Sequence, residues 1–377
     1  MLIEPRDPIV ARDGRPFSSN PGARARSLPF PLPQTIAGAV RTRIGLSRGL
    51  SFPGAAQQVR QIGIRGPLLA ERGQEGWRLL APAPADALLL GQGEASFLYR
   101  LVPLSLGKGI ETNLPEGLHP VGIPNPDNKS KPLAVPRFWH WTSFERWLLE
   151  PPAKAEQKGK DLGHDGPQGE VRTHLKLSPE TQTAEEGFLF QTSGLEFTFA
   201  RQDARQKPLL SSARRLALAL WVEDAPKGVF PLAGERRLAF WLNETIPPPQ
   251  PPAALLQRLV QHQAARVIFL TPAAFRAGYL PENRALQGAR IEAAALGRAT
   301  VASGWDLEQH RPKPSRRLVP AGSVYFVRFA GWSESRIREW LDGIWMQNLS
   351  DEPQDRLDGY GLAVVGSWTG ALAKLEV

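Results

Sequence analysis

The 377-residue chain contains no cysteine, which excludes disulfides and every thiolate metal site. That lack fits a reducing compartment, and a cytoplasmic protein is expected. Long apolar runs are missing too: nowhere do about 18 uninterrupted apolar residues occur, so no membrane span is expected. The N-terminus, with Glu4, Arg6 and Asp7, lacks the apolar segment of a signal peptide. Histidine is scarce. His119, His140, His164, His174, His262 and His310 stand apart, with no His-Glu-x-x-His and no His-Asp doublet. Gly107-Lys108 lacks the preceding glycine of a phosphate-binding P-loop. These absences leave no metal site, no cofactor and no catalytic constellation to assign, and the chain is not expected to be an enzyme.

What is present is basic and much interrupted. Forty-six Lys and Arg against 37 Asp and Glu give a net charge of +9, a balance that favours polyanionic partners through counterion release. A GC-rich genome raises arginine as well, so charge is not decisive alone. With 42% hydrophobic and 22% charged residues the composition is that of a globular protein. At roughly 150 residues per domain the length suggests two or three domains. Thirty-six prolines and 35 glycines break the chain into short elements joined by many loops.

The pattern opens with a strand over residues 1–10. Prolines 29, 31 and 33 forbid helix until residue 34, and Thr35 is a candidate N-cap for a helix from Ile36 to about Arg48. Ile36, Val40 and Ile44 form its buried stripe, with Arg41 at the border where a charged tip reaches outward. Ile62–Ala70 and Trp77–Leu90 read as a hairpin. Strand, helix and hairpin open a ferredoxin-like β-α-β-β unit, whose sheet is also the RRM architecture. Arg137–Glu150 suggests a short aromatic helix, and residues 151–169 a mobile loop. A hairpin over residues 188–199 is expected to turn near Ser193-Gly194. Strands are expected at Leu216–Val222, Leu238–Leu242, Val267–Leu270, Val324–Phe329 and Leu362–Val365, with helices at Ala254–Gln263 and Ile337–Trp345. Five prolines in residues 246–253 make a stiff connector. The expected fold is α+β: tandem ferredoxin-like (RRM-like) domains with long insertions. The expected boundaries are an N-terminal domain with an insertion at 1–150, a flexible loop and hairpin at 151–208, and a C-terminal domain at 209–377.

Several blocks, in order along the chain, carry a resemblance. They begin with Glu4-Pro5-Arg6-Asp7-Pro8, Arg12-Asp13-Gly14-Arg15-Pro16-Phe17, Ser27-Leu28-Pro29-Phe30-Pro31 and Thr35-Ile36-Ala37-Gly38-Ala39 with Arg41. Arg172-Thr173-His174, Thr183-Ala184-Glu185-Glu186-Gly187 and Leu232-Ala233-Gly234-Glu235-Arg236 follow. The last are Leu270-Thr271-Pro272-Ala273-Ala274-Phe275, Ser303-Gly304-Trp305-Asp306, Pro320-Ala321-Gly322-Ser323 and Gly359-Tyr360-Gly361-Leu362-Ala363. Together they resemble the RAMP proteins that form the third subunit of the Cmr complex of type III-B CRISPR systems. No block between residues 105 and 170 matches. The resemblance implies tandem ferredoxin-like domains in a non-catalytic subunit that holds the repeat-derived 5′ tag of the guide RNA (crRNA). It also implies two protein partners, the large catalytic Cmr subunit and a neighbouring backbone RAMP subunit. The rival readings are a metal-independent RAMP endoribonuclease that processes repeat RNA, using His174 and Lys176, and the equivalent subunit of a type III-A complex.

The candidate RNA contacts fall in four groups. Arg15, Ser19, Asn20, Thr35 and Arg41 surround a helix N-terminus, where N–H groups attract anions; capping and solvated surface are the plainer alternatives. Arg172, His174 and Lys176 alternate, so on a strand they share a face. Lys313 and Arg316 belong to the densest basic run, which suits an RNA strand or an acidic protein partner. Gly359 and Gly361 can bring backbone N–H groups to a phosphate, or can serve a tight turn with positive φ. Trp139, Trp141 and Trp147 suit either base stacking or burial.

Overall fold

Proline and long-range strand pairing together set the architecture. The computed structural model describes residues 1–11, 24–25, 27–52, 54–92, 95–124, 130–149, 153–200, 207, 209, 212–282, 286–306, 311–329 and 331–374. In its first half the elements used below are β1 (Leu2–Pro5), β2 (Arg24–Ala25), α1 (Pro33–Ser47), β3 (Arg65–Arg72), α2 (Trp141–Leu148), β4 (Gln168–Leu177) and β5 (Ala184–Glu196). Then come β6 (Arg214–Trp221), β7 (Gly228–Leu232), β8 (Arg237–Trp241), α3 (Leu255–His262), β9 (Ala264–Phe269) and β10 (Arg290–Ala295). The last are β11 (Val324–Arg328), α4 (Glu334–Ile344), α5 (Pro353–Asp358) and β12 (Leu362–Ser367). The protein is thus mixed α+β, with mostly antiparallel sheets and few helices.

The chain divides into two compact units: Met1–Arg78 with Gly166–Ile246 and Val301–Arg317, and Leu79–Asp165 with Pro247–Thr300 and Leu318–Val377. The boundaries read at residues 150 and 208 do not coincide with these units. The reason is β6: it comes from the middle of the chain yet hydrogen-bonds between β1 and β3.

In the first unit the strand order is β3-β6-β1-β8-β7, every pair antiparallel. Helix α1 packs against β3 and β7. Its start corrects one expectation: Leu32 is the N-cap and Pro33 the first helical residue, so Thr35 is inside the first turn. Pro33 suits that place because its missing N–H has no partner to lose there. The buried stripe is as the periodicity requires, with Ile36, Val40 and Ile44 fully inside. A separate three-stranded sheet has the order β4-β5-β2. Here the expected hairpin at residues 188–199 is corrected. Residues 184–196 form one strand, and the turn lies at Ser178–Thr183, closed by Ser178 N–H donating to Thr183 O at 2.9 Å. Gly194 is not a turn glycine. A Cβ there would stand 2.8 Å from Pro8 Cβ, so its bare backbone admits a close neighbour.

In the second unit the order is β10-β11-β9-β12, again all antiparallel. All six residues of β9 and of β12 are buried. Helices α2, α3 and α4 pack against β12. The run Trp77–Leu90 is two strands, Trp77–Pro82 and Ala87–Gln92, because Pro82 and Pro84 interrupt it. The segment read as a mobile loop is ordered where described: Lys154–Glu156 pairs antiparallel with Phe97–Tyr99, and Gly159–Leu162 is a helical turn. Among the described residues no helix is long and apolar enough to cross a membrane.

Candidate nucleic-acid interface

Arg172, His174 and Lys176 lie on β4 as expected, with β5 running antiparallel beside it. Each has a partner within the sheet. Arg172 Nε donates to Glu170 Oε1 at 2.8 Å, and Lys176 Nζ to Glu185 Oε2 at 2.7 Å. His174 Nε2 lies 2.9 Å from Thr192 Oγ1, which is buried. The hydrogen bond and charge of Glu170 raise the Arg172 pKa above its ordinary value. Both ion pairs are largely solvated, and such pairs contribute little. Arg172 and Lys176 can therefore exchange their carboxylates for phosphate oxygens at small cost.

The N-terminal segment arrives at the same sheet. Arg24 and Ala25 of β2 run parallel to Gln191 and Thr192 of β5. Ser27 N–H then donates to Ser193 Oγ at 2.6 Å. Arg15, Ser19 and Asn20 lie outside the described residues. A short stretch later α1 begins, and Gln34 in its first turn donates through Nε2 to Ser303 O at 2.5 Å. Ser303 Oγ donates to Lys313 O at 2.8 Å, and Lys313 N–H to Gly304 O at 2.8 Å. Gly304 allows this approach, since a Cβ there would stand 3.2 Å from Gln34 Nε2. Lys313 is exposed, Arg316 half-buried, and Arg311 and Arg317 exposed. Two candidate groups thus share the unit with the start of α1: the β4 stripe and the basic run. The hydroxyl and amide anchors, Ser27, Gln34, Thr192, Ser193 and Ser303, escaped sequence reasoning because nothing local marks which loop each will reach.

Three expectations change. Thr35 is half-buried, and its backbone N–H donates to Leu32 O at 3.0 Å. Its hydroxyl does not cap the helix. Arg41 does not reach outward: its side chain is buried, with Nε and Nη2 donating to Ile62 O at 3.0 and 2.8 Å. Gly359 and Gly361 are buried in the second unit, both in the left-handed region at φ 97° and 81°. The loop's N–H groups are committed inside. Gly359 N–H donates to Arg356 O at 3.2 Å, Tyr360 N–H to Asp355 O at 3.0 Å and Gly361 N–H to Pro272 O at 2.8 Å. They are turn glycines, and a phosphate has no donor to take from them. Trp139 and Trp147 are buried in the second unit, and Trp147 Nε1 donates to Asp86 Oδ1 at 2.9 Å. Among the described residues no three His, Cys, Asp or Glu side chains are grouped to hold a metal ion.

The family model described as "CRISPR-associated protein (Cas_Cmr3)" matches residues 1–368. No curated protein matches the chain. Among solved structures it is similar to a chain of the type III-B Cmr-beta complex bound to cognate target RNA and AMPPnP. The TM-score is 0.46 and the identity 14%, over 86% of this chain and 85% of that one. A chain of Cmr-beta bound to cognate target RNA is similar at TM-score 0.45 and 14% identity, with the same coverage.

Proposed function

Because this chain belongs to the CRISPR-associated Cas_Cmr3 family of RAMP-type Cmr subunits, we propose that it is a non-catalytic guide-RNA-binding subunit of a type III-B CRISPR effector complex. In this reading it works in the cytoplasm, holds the repeat-derived 5′ tag of the guide, and pairs with the large catalytic Cmr subunit and a neighbouring backbone RAMP subunit. Family membership over nearly the whole chain carries the reading. Exposed cations on β4 and in the 311–317 run give it a physical basis in the first unit. Single-stranded RNA is held by such cationic tracks along its backbone. The tandem ferredoxin-like reading draws support from strand order. Numbered as they follow one another, the four core strands run 2-3-1-4 in both units. The longest helix between core strands is α1, after the first strand, in the first unit and α4, before the last strand, in the second.

Fluorescence anisotropy with guide RNA tests the proposal. RNA bearing the 5′ repeat tag is expected to bind more tightly than the same RNA without it. Equal affinity for the two, or none for either, would sink the tag-holding role.

A second reading, a metal-independent RAMP endoribonuclease, rests on His174 and Lys176 sharing a strand face with Thr192 Oγ1 beside the imidazole. Incubation with labelled repeat RNA in EDTA separates the two. Cleavage abolished by His174→Ala would replace the scaffold reading with this one.

A further inference from the structure

The edge of the first unit's sheet carries apolar surface that the RNA reading does not use. On β7 and β8, Val229 lies opposite Phe240 and Pro231 opposite Leu238. Side chains alternate along a strand. Phe230 faces α1, with the Arg43 guanidinium 3.5 Å from its ring centre. Ala239 and Trp241 are buried. Val229, Pro231, Leu238 and Phe240 therefore share the other face. Val229 is 50% and Leu238 44% exposed; Pro231 is exposed and Phe240 partly so. Scattered apolar residues on a surface need no explanation, but contiguous ones across paired strands mark contact sites.

We propose that this face docks a protein partner presenting an apolar centre ringed by Asp and Glu. The inference rests on the reading of the chain as a subunit of a larger assembly. The occupant follows from chemistry. Arg6 lies over the Phe240 ring at 5.2 Å, and exposed Arg215 stands on the same face, bonded bidentately to buried Glu4 at 2.8 and 2.9 Å. Arg236 is exposed at the β7–β8 turn, where Glu235 is tied to Arg237 at 2.6 Å. An apolar centre with an arginine rim is the composition of a protein interface. RNA fits less well. Val229, Pro231 and Leu238 have no π face for a base to stack on, and the one ring already holds a guanidinium. Strand addition is disfavoured too, because Pro231 removes a donor from the edge strand. The partner meets the face and does not extend the sheet. The face is held in advance: Gly234 N–H in the β7–β8 turn donates to Val10 O at 3.1 Å, which fixes the turn.

The full chain, co-expressed with affinity-tagged large Cmr and backbone RAMP subunits, supplies the test. After ribonuclease treatment the wild type is expected to remain with those subunits. Val229→Glu/Leu238→Glu, and separately Arg6→Glu, are expected to reduce recovery roughly tenfold or more. Unfolding of the isolated variants should match the wild type, and their guide-RNA affinity should stay within about twofold. Undiminished recovery of the variants would overturn the proposal, as would loss of RNA affinity in step with recovery. A dimer of the isolated chain that the double variant splits would assign the face to a second copy instead. Absence of RNA binding by the wild type would remove the guide-binding reading while leaving the docking result to be judged on recovery alone.

Discussion

Arg266 Nη1 lies 2.5 Å from Asp86 Oδ2, and neither side chain is more than 1% exposed. The two residues are far apart in sequence, yet they tie together the core of the second unit. Asp86 also accepts from Trp147 Nε1 at 2.9 Å, while Arg266 donates to Ser367 O at 2.9 Å and to Trp147 O at 2.5 Å. A buried pair of this kind repays desolvation only when every remaining polar atom is also served. Asp86→Ala leaves a guanidinium buried without its counter-charge. The expected loss is about 3–5 kcal/mol, read as a fall in the urea midpoint; an unchanged midpoint would show that water reaches Arg266.

Arg41 is expected to matter for folding and not for RNA. Arg41→Ala removes a buried guanidinium and both of its hydrogen bonds to the partly buried Ile62 carbonyl, and is expected to cost roughly 1–3 kcal/mol. Guide-RNA affinity of the folded fraction should match the wild type. A specific affinity loss at wild-type stability would return Arg41 to the interface.

Gly361 makes a sharper case. A Cβ there would lie 2.7 Å from Ser350 N, at a φ of 81° that disfavours any side chain. Gly361→Ala is expected to lower thermal stability by about 1–3 kcal/mol through backbone strain and displacement of the Ser350 segment. Tag-RNA affinity of the folded protein should not move.

The salt dependence of RNA binding reports the cations directly. If Lys176 and Lys313 contact phosphates, each Lys→Ala change should reduce the log–log slope by roughly 0.7, the single-strand value per contact. Stability should hardly change, since the pair of Lys176 with Glu185 is largely solvated. Slopes identical to wild type would assign these lysines to solvent.

Glu196 makes folding depend on pH. Burial, and next the neighbouring Glu170 charge, raise its pKa, while Arg172 opposes them. The folded protein therefore holds this proton more tightly than the unfolded chain does. Its stabilising share is complete below the unfolded carboxylate value and is lost as pH rises through the folded one. Glu196→Gln is expected to be more stable than the wild type at neutral pH, and the gap should close on acidification. A gap that widens in acid would reverse the sign.

Where a residue's neighbours lie within a few positions, the one-dimensional pattern was enough. The buried stripe of α1 and the strands around residues 216–222, 238–242 and 324–329 all follow from local spacing. Proline explains the misreadings as readily: Pro33 starts α1 ahead of Thr35, and Pro82 with Pro84 split one apolar run into two strands.

Other features depended on distant chain. Gly194 and Gly361 are the same residue type in similar local settings, yet one passes beside Pro8 within an extended strand and the other takes a left-handed turn against Ser350. Arg41 and Arg172 are equally basic in sequence, but a carbonyl at residue 62 draws one inside while Glu170 holds the other in water. Composition and periodicity alone established a basic, many-looped α+β protein and the register of its amphipathic elements, because those properties are summed over neighbouring residues. Which charges are buried, which glycines turn, and how β6 enters between β1 and β3 were decided by tertiary structure. Burial and pairing depend on groups that meet only when remote segments fold together.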